Sequence, residues 1–157
     1  MKSWVIKFLH LLKGLKINKN HGYNQKNMKK IVIAGSSSLQ DKINYWRQYW
    51  QDHGFMILNY PHPIPKETFL EDYPNVYKQF FKDILETDVL FIMNEDKKGV
   101  IGHIGAESFG EMCFGVSNNL LQNKDTEIIL LKMPEEKVQS YKEINLWLKL
   151  GWIKLLK

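Results

Sequence analysis

Short apolar runs rich in β-branched residues recur along the chain, separated by longer stretches of helical periodicity. Lys30–Ala34, Phe55–Asn59, Asp88–Met93 and Glu127–Leu131 read as strands, because brief apolar runs bounded by turn residues fit strands buried on both faces. Leu39–His53, a segment from about Pro74 to Glu86, another from about Ala106 to Ser117, and Glu135–Leu150 carry the pattern of amphipathic helices. Gly35-Ser36-Ser37-Ser38 supplies a tight turn and an N-cap, while Gly54 and Gly151 fall at the C′ positions of the first and last helices. The apolar tail Trp152–Leu156 is expected to fold back on the core.

Strands that alternate with helices of this length pair in parallel through right-handed crossovers. The pattern therefore predicts a three-layer α/β/α sandwich with a four- or five-stranded parallel sheet, flavodoxin-like or Rossmann-like. Ligands of open parallel sheets bind beyond the carboxyl ends of the strands, near a topological switch point. That rule selects the loops Gly35–Ser38, Tyr60–Pro65 and Asn94–Gly105.

At 157 residues the chain is long enough for one well-buried core. The net charge of +5 suggests nucleic acid, but its distribution argues against it. Residues 1–30 hold eight of the 22 basic residues and no acid, which leaves 14 basic against 17 acidic residues in the remainder. A lone cysteine, Cys113, excludes an internal disulfide framework and fits a reducing cytoplasm; its apolar surroundings predict a buried, inert thiol.

Residues 1–27 read as a separate basic extension, and residues 28–157 as the folded domain. Trp4-Val5-Ile6, Phe8-Leu9, Leu11-Leu12 and Leu15 are interrupted by Lys7, Lys13 and Lys16, so the uninterrupted apolar run is too short to span a bilayer. Three readings fit: an amphipathic helix making peripheral membrane contact, a segment packed on the domain, or the product of an upstream start codon. The third is preferred, because Met28-Lys29-Lys30 before Ile31-Val32-Ile33 is a typical opening for a cytosolic α/β chain. Asn18–Asn27 is expected to be a disordered linker.

The chemistry concentrates in Leu90–Gly115. Asn94 and Asp96 follow the strand end, whereas Asp88 lies at the opposite sheet edge as a cap or turn residue. Gly99, Gly102 and Gly105 punctuate the loop and allow a backbone to approach a ligand. Glu107 and Glu111 share one helix face. Glu107 lies near the helix start, where an acid is favoured without any function. Glu111 lies among Phe109, Met112, Cys113 and Phe114, where a carboxylate is costly unless paired or used. Glu111 is accordingly the leading candidate for a reactive group. Gly35, Ser36, Ser37 and Ser38 offer N–H groups and hydroxyls at a helix N-terminus, suited to a phosphate, a carboxylate or a sugar hydroxyl, or equally to a plain cap. For Asp96 a solvated loop acid is the competing reading. His62 and His103 fall in the selected loops, but no pair of ligands has metal spacing, so neither a metal nor a cofactor is expected. Neither the G-x-G-x-x-G spacing nor a Walker A lysine is present.

The run T-D-V-L-F-I-M-N-E-D-K-K-G-V-I-G-H-I-G-A-E-S-F-G-E-M, with the opening K-K-I-V-I-A-G-S-S-S, resembles the nucleoside 2-deoxyribosyltransferase-like superfamily. The resemblance spans Met28 to about Leu131 and is specific over Asp88–Gly115. It implies N-glycosidic bond cleavage or deoxyribosyl transfer on a nucleoside or nucleotide, with Glu111 as nucleophile and Asp96 assisting the base. It also implies that Ser36 to Ser38 bind sugar or 5′ groups, with Gly35, Asn94, Gly102, Gly105 and Glu107 around the ligand. Val100 stands where the family usually carries a tyrosine. A non-catalytic nucleotide-binding module in the same crevice is the alternative. A homodimer is a further implication, for which Tyr45, Trp46, Tyr49 and Trp50 would offer an interface.

Overall fold

The computed structural model describes residues 28–157, and the readings made of residues 1–27 lie outside the described residues. The elements alternate as β1 (Lys30–Gly35), α1 (Gln40–Asp52), β2 (Met56–Asn59), α2 (Phe69–Glu86), β3 (Val89–Met93), α3 (Ala106–Gln122), β4 (Glu127–Leu130), α4 (Tyr141–Lys149) and β5 (Lys154–Leu155). All pairings are parallel, and the strand order is β2-β1-β3-β4-β5. The expected α/β sandwich is the fold observed, with five strands, because the C-terminal tail adds β5 beside β4.

Alternate residues of each strand feed opposite layers, as the pleat requires. Val32, Ala34, Leu90, Ile92, Ile128 and Leu130 pack against Phe80 and Ile84 of α2, Met112 and Val116 of α3, and Ile144 of α4. Ile31, Ile33, Val89, Phe91, Met93 and Ile129 pack against Ile43, Trp46 and Trp50 of α1. All five residues of β3 are buried, as expected of a central parallel strand. Each large apolar side chain so buried contributes roughly 1.5–3 kcal/mol. Gly115 allows α3 to lie close on the sheet, since a Cβ there would sit 2.9 Å from Leu90 Cδ2.

The structure departs from the expected elements at three helix ends. α2 begins at Phe69, five residues before Pro74, which lies inside the helix. Proline favours a first turn and so marks a start, yet Glu71 and Asp72 already donate backbone bonds to the Thr68 carbonyl. α3 continues to Gln122 and stops at Asn123, which adopts the left-handed conformation at φ +51°. Glu135–Ser140 is a series of turns, so α4 starts at Tyr141.

Several smaller expectations also change. The N-cap of α1 is Leu39, with no side-chain cap bond, and not a serine. Cys113 is half-buried. Among the four rings suggested for an interface, Trp46 and Trp50 belong to the core, while Tyr45 is 59% exposed. The pairing of β1 with β2 shifts register between Ile31 and Val32. Among the described residues no helix is long and apolar enough to cross a membrane.

Candidate functional site

β1 leads through α1 to β2 on one side, and β3 pairs on the other, so the two strands diverge at their carboxyl ends. Gly35 and Met93 end these strands side by side in register. There a cleft of about 790 Å³ opens, within the range of small-molecule sites. All three loops selected from the sequence contribute to it: Gly35, Ser36 and Ser37; Tyr60, Pro61, His62 and Ile64; Lys97, His103 and Gly105. The first turns of α3 form one wall with Glu107, Ser108, Gly110 and Glu111. The opposing wall is aromatic, with Phe69, Tyr73, Tyr77 and Phe80 of α2.

Glu111 is the least solvated acid of this cleft. Its residue is 8% exposed, and its Oε2 is buried without a hydrogen-bond partner. Burial, and then the charge of Glu107, push its carboxyl up to about 8, so the empty cleft holds it mainly protonated at neutral pH. A Cβ on Gly110 would meet no atom within 4 Å, which leaves the space beside Glu111 open.

Glu107 has a partner that the sequence did not indicate. Tyr73 donates its hydroxyl proton to Glu107 Oε1 at 2.7 Å. This bond is the largest cause raising the Tyr73 phenol to about 12, because ionisation would face a carboxylate. Tyr73 lies in the part of α2 that precedes Pro74, where no helix was expected. The ring series Phe69, Tyr73, Tyr77 and Phe81 is spaced at 4.6–5.5 Å between successive centroids along α2.

On the other side of the cleft, Lys97 donates to Ser36 Oγ at 2.6 Å, and Ser36 Oγ lies 3.0 Å from Ser38 Oγ. Lys97 was not selected from sequence. Its position comes from a two-residue hairpin in which Lys97 and Val100 exchange backbone bonds of 3.0 Å. Lys98 and Gly99 at the tip have φ of +51° and +74°, the left-handed geometry of a tight β-turn. The only sequence signal was Lys98-Gly99 itself.

Four sequence candidates stand outside the cleft lining: Ser38, Asn94, Asp96 and Gly102. Asn94 is buried and braces the loop. Its Nδ2 donates to the carbonyls of Gly102 (3.2 Å) and Lys132 (2.8 Å), while its Oδ1 accepts from Lys132 N–H. Asp96 accepts from Gly102 N–H at 2.8 Å and from Lys132 Nζ at 3.2 Å, and these bonds hold its carboxyl below the usual range. Gly102 has φ +60°, and a Cβ there would lie 2.9 Å from Pro134 Cα. These residues shape the loop from behind. Asp88 accepts from Lys30 N–H at the far sheet edge, as its place before the strand implied.

The third loop rests on α1. The Arg47 guanidinium carbon lies 3.9 Å from the Tyr60 ring centroid, and Tyr60 lies 4.0 Å from the His62 ring. Burial, aided by Arg47, lowers the His62 pKa and keeps the ring neutral. Among the described residues no cluster of three or more His, Cys, Asp or Glu side chains could hold a metal ion.

The cleft is thus polarised, with two acids and a phenol on one side and an ammonium with hydroxyls on the other. No protein-family model matches the chain, and no curated protein matches it.

Proposed function

We propose that the cleft cleaves or exchanges the N-glycosidic bond of a nucleoside or nucleotide, with Glu111 as nucleophile. The observation that carries this reading is the buried, unpartnered Oε2 of Glu111 in a cleft lined by aromatic rings. A carboxylate left without a partner is destabilising in a free protein, and it suits a site whose ligand supplies positive charge. An oxocarbenium-like sugar supplies such charge at its anomeric carbon.

In this mechanism Glu111 ionises, one of its oxygens bonds to the anomeric carbon, and the bond to the base nitrogen breaks. The base leaves with the bonding pair and takes a proton. Glu107 and the Tyr73 hydroxyl that it accepts are the cleft groups offered for that proton exchange. Water or a second base then displaces Glu111. Asp96, which the resemblance assigns to the base, is tied to Gly102 and Lys132 and has no step here. The aromatic wall of α2 offers stacking surface to a base.

A second reading has an observation of its own. A Glu111 carboxyl near 8 is mostly neutral at physiological pH, which suits a cleft that binds a nucleotide without turning it over. One screen separates the two: nucleosides and 5′-monophosphates are incubated with wild-type protein and with Glu111→Ala, and base release is followed by chromatography. Release by wild-type alone supports the enzyme. Thermal stabilisation by a nucleotide with no product supports the binding module. Neither product nor stabilisation from any compound would overturn both.

A further inference from the structure

Lys97 is the only lysine or arginine lining the cleft, and among the described residues no carboxylate pairs with it. The acids beside it in sequence are engaged elsewhere: Glu95 accepts from Trp46 Nε1 and faces Lys132 at 3.8 Å, and Asp96 pairs with Lys132 at 3.2 Å. Lys97 therefore brings an uncompensated positive charge to the cleft, held by a hairpin whose tip includes a non-glycine residue at positive φ. Its one side-chain partner is the neutral hydroxyl of Ser36. The adjoining end of α1 has no side-chain cap, which leaves its first-turn N–H groups without a side-chain acceptor. Across the cleft lies the orphaned carboxyl of Glu111, which points independently to a ligand in the same space.

We propose that Lys97 and Ser36 receive a phosphomonoester, so that the cleft takes nucleoside 5′-monophosphates in preference to nucleosides. This rests on the nucleoside reading above and specifies its substrate class. A phosphate dianion would pair with Lys97, accept from Ser36 and face the open end of α1. The same dianion is repelled by Glu107 at the other end, so only one orientation of the ligand satisfies both ends. Lys97 and Ser36 fix the 5′ end, and that orientation directs the sugar toward Glu111.

The test is calorimetric titration of the full chain with a panel of nucleosides and the matching 5′-monophosphates, for wild-type, Lys97→Met, Lys97→Arg and Lys98→Met. Wild-type is expected to bind a monophosphate roughly tenfold or more tighter than its nucleoside, since hydrogen bonds to charged groups carry that magnitude. Lys97→Met loses the preference while keeping nucleoside affinity; Lys97→Arg and Lys98→Met retain it. Should Lys97→Met not fold, monophosphate affinity in wild-type still weakens as salt is raised while nucleoside affinity does not. Equal wild-type affinity for a nucleoside and its monophosphate, or an undiminished preference in a folded Lys97→Met, overturns the proposal and leaves the nucleoside reading standing. Binding of neither compound class overturns the nucleoside reading itself.

Discussion

Tyr73 and Glu107, 34 residues apart in sequence, are joined by a 2.7 Å hydrogen bond across the cleft, one helical turn from Glu111. The bond holds the Glu107 charge at a fixed place beside a buried carboxyl. Burial is the larger cause of the raised Glu111 pKa, and Glu107 the smaller. Glu107→Gln should therefore lower the Glu111 titration midpoint from about 8 while leaving it above that of an ordinary glutamate. Carboxyl carbon NMR of the two proteins measures this directly. A midpoint unchanged by the substitution would show that Glu107 exerts no field on Glu111.

Glu111 also makes folding stability depend on pH. Its folded pKa lies above the unfolded value, so between about 4.5 and about 8 the unfolded chain ionises while the folded one stays protonated. Fewer protons are then bound in the unfolded state, and stability falls as pH rises through that window. Glu111→Gln removes the loss. Its melting temperature should exceed that of wild-type at pH 8 by more than at pH 5, with a stability gain on the order of a few kcal/mol at most. Parallel melting curves at the two pH values are the check.

The same ionisation governs turnover if Glu111 is a nucleophile. Only roughly a tenth of it is charged at pH 7, so kcat/KM should rise nearly tenfold per pH unit below its pKa. The rise should level off near pH 8. A profile flat between pH 6 and pH 8 would remove Glu111 from the nucleophile's role.

Asp96 and Asn94 should separate cleanly in mutagenesis. Asp96→Asn keeps an acceptor for Gly102 N–H on an exposed side chain, so it should cost about 1 kcal/mol or less and leave ligand binding intact. Asn94→Ala leaves the Lys132 N–H and two carbonyls without their partner in a buried setting, and should cost about 1–3 kcal/mol. Urea unfolding of both variants decides the contrast.

Much of the framework was legible because the strands are short β-branched runs and the helices between them force parallel pairing. Strand polarity then located the site end, since Gly35 and Met93 must finish side by side wherever β1 and β3 run in parallel. Glu111 was legible as a carboxylate in an apolar stretch. The α2 wall was not, because Pro74 reads as a helix start and conceals the turn that carries Phe69 and Tyr73. Lys97 was not either: its contact spans 61 residues and depends on two left-handed backbone positions. Asn94 and Asp96 occupy the right loop, but hydrogen bonds to Gly102 and Lys132 turn them away from the cleft, and residue type alone does not encode that direction.

The two margins of the sheet bear on how the protein behaves at high concentration. An edge strand with free N–H and C=O groups is a template for pairing with a neighbouring molecule, and long, flat edges are the hazardous ones. Here β5 is only two residues long, and Lys154 on it is ion-paired to Glu127 of β4. At the other margin, β2 is four residues long and its pairing with β1 is irregular. Neither edge offers a continuous ladder, so the fold is guarded against edge-to-edge aggregation while its central strands remain among the most apolar in the chain.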